Sequence, residues 1–374
     1  MLRGGAGTYF SNFSIWNSIN GIYAGYPVTI TNTYTSSIAQ PVTLANPFPA
    51  TNAVTSNTLA GIDRNHRNPR VYQWSLGIQR QLTNDMVAEI TYLGSAGNHL
   101  RFTQNINQAP PGPGTPAQVN ARRPYPAYGS ISMYKWDGSS RYNSLQSRLQ
   151  QRYSHGLSFL ASYTYSHSID DINNRTNQFD PQTGRGSSTF DVRQRLALSP
   201  VYELPFGEGK SFATTGVASK VLGGWQVSPL FQWKTGNPLT VTLTQNYSNN
   251  GGTADRPDAI ADPNKNAPRT QKKWFNTEAF ILRPVNGAAG ATYSFGNAGV
   301  GTVTSPGLVN LDVSIVRTFQ AREGLKVQFR AELFNALNHT NYGYPNVQAD
   351  NAQFGTISSA LDPRQSQFAL KIIF

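Results

Sequence analysis

Hydrophobic and polar residues alternate with period two along much of this chain. Val71 to Leu82 sets Tyr72, Trp74, Leu76 and Ile78 against Gln73, Ser75, Gly77 and Gln79. A strand sends successive side chains to opposite faces, so this pattern predicts a strand with one apolar and one polar side. Thr83-Asn84-Asp85 predicts a tight turn, and Met86 to Ser95 returns with Ala88, Ile90 and Tyr92 against Glu89 and Thr91. Arg141 to Tyr153 and Leu157 to His167 predict a second hairpin around Ser154-His155-Gly156. Asp191 to Glu203 sets Leu196, Leu198 and Tyr202 against Arg193, Arg195 and Ser199. Gly224 to Thr235 sets Trp225, Val227, Phe231 and Trp233 against Gln226, Ser228, Gln232 and Lys234. Leu308 to Phe319 alternates likewise, and Leu325 to Leu333 opposes Leu325, Val327 and Phe329 to Gln328, Arg330 and Glu332. The chain closes on Phe368, Leu370, Ile372 and Phe374 at every second position, with Ile373 breaking the polar side. Arg3 to Phe10 is a short Gly-rich strand candidate.

The connections alternate in length. Ser11 to Pro69, Gly97 to Ser140, Ser168 to Phe190, Gly236 to Gly307 and Phe334 to Leu361 read as long loops. The intervening turns are short, except Leu204 to Gly223, which has room for a helical turn near Val217 to Leu222. About ten strands of roughly 9–12 residues match the length that a tilted strand needs to cross a bilayer. Short turns on one side and long loops on the other are the pattern of an antiparallel transmembrane β-barrel, with periplasmic turns and extracellular loops. A soluble sandwich has no reason to gather its long loops at one end.

Composition agrees. Charged residues are only 13% and aromatics 11% of the 374 residues, with 33 Gly and 23 Pro, which favours an all-β chain over a helical one. Mean hydropathy is −0.42, and no apolar run approaches the roughly 18 residues of a transmembrane helix. Alternating strands stay polar on average, so a barrel is compatible with that value. Aromatic residues recur near strand ends: Trp74, Tyr163, Trp225, Trp233, Phe319 and Phe374 predict a girdle at the membrane–water boundary, where a ring is apolar and its tip is wet. The polar side, with Arg193, Arg195, Gln328, Arg330 and Glu332, is expected to face a wet lumen.

The net charge of +12 is spread over separate predicted loops, at Arg64, Arg67, Arg122, Arg123, Lys272 and Lys273. There it would meet lipopolysaccharide phosphates or anionic solutes. Nucleic-acid binding needs one compact basic surface with interleaved aromatics, so no nucleic-acid partner is expected. No residue set predicts an enzyme or a cofactor site. There is no cysteine, and the five histidines show no metal spacing. His167 with Asp170 and Asp171 is a weak candidate acid–histidine pair. Asp255, Asp258 and Asp262 are weak candidates for a loop calcium site. The start of the chain does not read as an export signal, so a barrel destined for the outer membrane is expected to be a fragment of a longer protein.

Phe329 to Pro345 reads F-R-A-E-L-F-N-A-L-N-H-T-N-Y-G-Y-P. It resembles the penultimate strand and last external loop of TonB-dependent outer-membrane receptors of the Oar-like kind. Y-N-S-L-Q-S-R-L at Tyr142, Y-T-Y-S-H-S-I-D-D at Tyr163, F-D-V-R-Q-R-L at Phe190, L-P-F-G-E-G-K at Leu204 and the terminal Q-F-A-L-K-I-I-F fit the same family in order. The resemblance implies that residues 1–374 are the C-terminal part of a barrel of about 22 strands, filled by an N-terminal plug that this chain does not contain. It implies uptake of a bulky solute, a TonB complex as partner of the full-length receptor, and barrel assembly machinery engaging the last strand. A second reading is a surface adhesin or structural outer-membrane β protein that transports nothing, and a third is an outer-membrane hydrolase. As an open sheet, ten strands would leave two unpaired edges, Arg3 to Phe10 and Arg364 to Phe374.

Overall fold

The alternating stretches form strands in the computed structural model, which describes residues 1–11, 31–34, 42–47, 53–56, 59–172, 175–252, 255–285 and 287–374. Most of the expected first loop, 11–69, lies outside the described residues. Ten long strands make one sheet in chain order. They are β1 (Leu2–Phe10), β2 (Arg70–Gln81), β3 (Met86–Asn105), β4 (Ile131–Ser154) and β5 (Leu157–Asp170), then β6 (Gln194–Glu203), β7 (Trp225–Lys234), β8 (Leu308–Arg322), β9 (Leu325–Phe334) and β10 (Gln365–Ile373). Every neighbour in this path is antiparallel. No helix among the described residues is long and apolar enough to cross a membrane.

Register keeps like with like. Ile78, Ile90, Ser147, Tyr163, Leu196, Trp233 and Val309 lie opposite one another in a row across β2 to β8. One residue along, Gln79, Glu89, Arg148, Ser162, Ala197, Gln232 and Asn310 form the next row. A slip of one residue in any strand would push its polar set among apolar ones, so the pattern itself specifies the pairing. The apolar face is left uncovered: Ile78, Ile90, Leu145, Phe368, Leu370 and Ile372 are all exposed. An uncovered apolar face this wide is stable against acyl chains and not against water.

The expected loop Gly97 to Ser140 is corrected. β3 runs 20 residues and β4 runs 24, about 65 Å or more at a strand's rise, against a hydrocarbon core of about 30 Å. The hairpin therefore continues well above the membrane. Register shifts between Asn98 and Leu100 and between Leu100 and Phe102 interrupt the alternation, and His99 takes a positive φ of 56° there. Bulges of this kind turn the ladder while preserving it, which hides the strand from a period-two reading. Leu59–Ile62 adds a short parallel strand against Ile131 to Tyr134.

The expected loop Gly236 to Gly307 is also more ordered than its sequence suggests. Pro238–Leu239 pairs with Val303–Thr304, and Asp258–Ala259 with Phe280–Ile281. Around them Val241, Leu243, Tyr247, Phe275, Ala279, Phe280, Ala298, Val303 and Ala349 build a buried core. Phe275 meets Phe354 and Phe280 edge-on, with ring centres 5.2 and 6.3 Å away. The expected helical turn is a helix at Gly216–Leu222; a second, Pro116–Ala121, was not expected. Among the described residues β1 pairs with β2, β10 pairs with β9, and β1 and β10 do not pair with each other.

Candidate functional site

The polar face of β4 to β8 carries a recess of ≈ 480 Å³ at the long-loop end of the sheet. Cross-strand register assembles it. Gln146 stands opposite Thr164, Thr164 opposite Arg195, Arg195 opposite Lys234, and Lys234 opposite Leu308. Ser166, Ser168, Gln232 and Tyr142 complete much of the wall. Asp191, just before β6, secures the rim. It is buried, its Oδ1 accepts from the Ser168 backbone N–H at 2.8 Å, and its Oδ2 lies 2.9 Å from Arg193 Nε. Asn237 donates to the Asp191 carbonyl at 3.1 Å, which ties the start of the loop after β7 to the entry of β6.

Above the recess the long loops knit into a cap. The Ala109 N–H reaches the Asn250 carbonyl at 3.0 Å, and Gln178 donates its backbone N–H to Gln108 Oε1 at 2.9 Å and its Nε2 to the Gln108 carbonyl at 2.8 Å. Arg256 donates to the Thr183 carbonyl at 2.8 Å, and the Thr242 N–H to Val347 at 3.0 Å. Asn107 is fully buried; its amide nitrogen points to the carbonyls of Tyr125, Tyr128 and Gly129. Partners close by satisfy Asn107, as a loop packed on protein requires, whereas Asn250 Nδ2, Arg256 Nε and Nη1 and Thr302 Oγ1 are buried without a hydrogen-bond partner among the described residues.

The expected lumen residues fall in three settings. Arg193 lies before β6 rather than within it, held by Asp191 and by His167 Nε2 at 2.8 Å. Arg195 lines the recess and is exposed. Gln328 donates to Thr318 Oγ1 at 3.1 Å, and Arg330 lies 3.5 Å from Glu332 on β9.

The expected basic surface divides. Arg64, Arg67 and Lys272 are exposed. Lys273 is drawn to Glu278 at 2.8 Å. Arg122 and Arg123, expected among the basic loop residues that would meet phosphates or anionic solutes, instead direct their donors to neighbouring loops. Arg122 donates to the carbonyls of Pro110, Gly112 and Asn249 at 3.2, 2.9 and 2.6 Å. Arg123 is buried and donates to the carbonyls of Asn107 and Gly251 and to Asn120 Oδ1. Burial lowers its pKa. Both clamp the cap; adjacent arginines in a Pro/Gly-rich stretch give no sign of that in the sequence.

Of the aromatic positions, Trp74 lies over Gly94, its cross-strand partner, so closely that a Cβ there would stand 2.2 Å from the indole. The Tyr163 hydroxyl donates to Gln194 at 3.0 Å, and Trp225 Nε1 to the Val221 carbonyl at 3.1 Å. Trp233 sits opposite Leu196, while Phe319 and Phe374 are exposed. The candidate acid–histidine pair does not assemble: Asp171 takes Arg175 at 3.1 Å and the Ser139 N–H at 2.7 Å. The loop carboxylates do not converge either. Asp255 accepts from Ser248, Asp258 from Arg283 at two points, and Asp262 from Asn264. Among the described residues no three His, Cys, Asp or Glu gather as a metal cage.

Lys234 belonged to the polar side in sequence, but only register puts it beside Arg195. The connection 204–224 is too long for turn type to set that register.

The family model described as "Outer membrane beta barrel domain" matches residues 1–367. None of the curated proteins matches the chain. Solved structures with a similar fold include the ferripyoverdine receptor of the Pseudomonas aeruginosa outer membrane, at 12% identity and TM-score 0.42, covering 82% of this chain and 27% of that one. The outer membrane transporter YddB of Escherichia coli is 11% identical with TM-score 0.44, covering 85% and 34%. The ferric enterobactin receptor of Pseudomonas aeruginosa, as a point mutant, is 11% identical with TM-score 0.46, covering 100% and 38%. The chain thus spans about a third of the length of these proteins.

Proposed function

The chain belongs to the outer membrane beta barrel domain family, and from that premise we propose that it is part of the wall of a TonB-dependent receptor that takes up a bulky solute. Its place is the cell outer membrane, with the apolar face of the sheet against lipid and the polar face toward the lumen. The observation that carries the uptake reading is a polar inner face with a recess, roofed by long loops that pack into an ordered cap. Such loops recognise; the sheet holds them in place.

In this reading residues 1–374 are the C-terminal part of the barrel domain, of the Oar-like kind suggested by F-R-A-E-L-F-N-A-L-N at Phe329. TonB would engage the plug of the full-length receptor. Barrel assembly machinery would engage β10, whose outer edge is unpaired among the described residues. Arg64, Arg67 and Lys272 would meet lipopolysaccharide phosphates, and the residues on the polar face would guide the solute without covalent chemistry. The test is deletion of the gene, with uptake of ferric siderophores, oligosaccharides and peptides compared before and after an uncoupler collapses the proton-motive force. Energised uptake of at least one class should disappear. Unchanged uptake of all three, with reduced attachment of cells to surfaces, would support the adhesin instead.

A further inference from the structure

Arg195 and Lys234 face each other in register across β6 and β7, and both line the recess under the cap. Like charges directly opposite in an antiparallel pair repel, and a sheet normally places an acid between them. Here none does. Neither side chain makes an ion pair or hydrogen bond among the described residues. The one acid lining the recess, Asp191, is committed to Arg193 at 2.9 Å and to the Ser168 N–H at 2.8 Å. Other arginines show the contrast, since Arg175 meets Asp171 and Arg283 meets Asp258.

We propose that Arg195 and Lys234 form a binding site for the carboxylate or phosphate group of a free solute. A guanidinium offers a planar fork to such an oxyanion, and an ammonium adds a point charge from the neighbouring strand. Gln146, Thr164, Ser166 and Gln232 supply amide and hydroxyl donors around the two cations. The volume of ≈ 480 Å³ holds a small molecule or the anionic end of a larger one. Lipid lies against the opposite face of the sheet, so the anion arrives from the lumen. The proposal rests on the reading of this face as the solute-facing wall, and it concerns binding alone, so it is tested apart from uptake.

The full chain, purified folded in zwitterionic detergent, is titrated with inorganic phosphate, with citrate and with glucose by calorimetry. Both anions should bind, glucose should not, and affinity should fall as salt rises. The double variant R195Q/K234Q should weaken both anions at least tenfold, while K326Q, at the short-turn end of β9, leaves them unchanged. K234E should abolish binding and raise the thermal midpoint, because the new carboxylate pairs with Arg195. Should the double variant fail to show the cooperative thermal transition of the wild-type protein, K234E provides the same reading. Anion binding that survives R195Q/K234Q or K234E, or that wild-type protein lacks, overturns the proposal. Competition by phosphatidylglycerol added to the micelles would overturn the assignment to a free solute. Loss of energised uptake with anion binding intact, or the reverse, separates this site from the uptake reading.

Discussion

Phe275 in the cap is fully buried, while Phe368 in β10 is 69% exposed and Phe374 is 92% exposed. The two regions handle apolar surface in opposite ways. Among the described residues the buried hydrophobic side chains lie in the cap and in the upper parts of β3 and β4, as with Phe102, Ile131 and Trp136. The membrane-level strands bury few large side chains against protein, because acyl chains accept an apolar face that water would reject. The sheet is therefore held by backbone ladders and register, and the cap by a dry core and hydrogen bonds from loop to loop. Substitutions should sort by region more than by residue type.

The largest effect should come from the cap core. Phe275→Ala removes a ring packed on Phe280 and Phe354 and leaves a cavity, at a cost of about 3–5 kcal/mol. Limited proteolysis should then cut between 236 and 307 while the sheet keeps its heat-modifiable mobility. Simultaneous loss of both would show that cap and sheet unfold together.

Next is Gly94→Val, which sets a side chain into the Trp74 indole. Overpacking costs about 1–3 kcal/mol. Urea unfolding in detergent should show the loss, and adding Trp74→Ala should recover most of it. Failure of the second change to help would place the strain elsewhere.

Arg123→Met strips donors from the buried carbonyl of Asn107 and the half-buried carbonyl of Gly251, at about 1–3 kcal/mol. Faster amide exchange should appear at residues 107–125 and 248–252 and not in β9 or β10. Uniform exchange would contradict a local clamp.

Asp255 gives a smaller effect with a definite sign. Burial raises its pKa, although hydrogen bonds from Ser248 oppose the shift. A carboxyl that holds its proton more tightly when folded favours the fold below about pH 4, and that advantage is lost as pH rises through the folded value. Between pH 4 and 7 the wild-type cap should thus lose stability relative to Asp255→Asn. Parallel melting curves over that range would remove burial as the dominant influence.

The smallest effect belongs to the lipid face. Phe368→Ala leaves no protein cavity, since acyl chains fill the space. What remains is its stacking on Phe329 at 6.4 Å, about 0.5–1.5 kcal/mol. A loss in bilayers as large as that of Phe275→Ala would mean that β10 is packed against protein.

Much of the sheet was legible because a lipid-facing strand writes its environment into every second residue. The expected limits of β2, β5, β7, β8 and β9 agree with the structure to within a few residues. The upper hairpin was not legible, because its bulges break the period. Nor was the cap core: Val241, Phe275 and Ala349 are far apart in sequence and follow no period, so only the folded loops bring them together. The site was half legible. Alternation assigned Arg195 and Lys234 to the polar side, and Arg330 and Glu332 to one face of a single strand. The amino-acid order alone therefore settles which residues turn toward lipid, since that choice is made strand by strand. Tertiary structure decides which cations are left unpaired. Pairing across strands joined by long connections, and closure of loops over Arg122 and Arg123, depend on register and packing that no local pattern encodes.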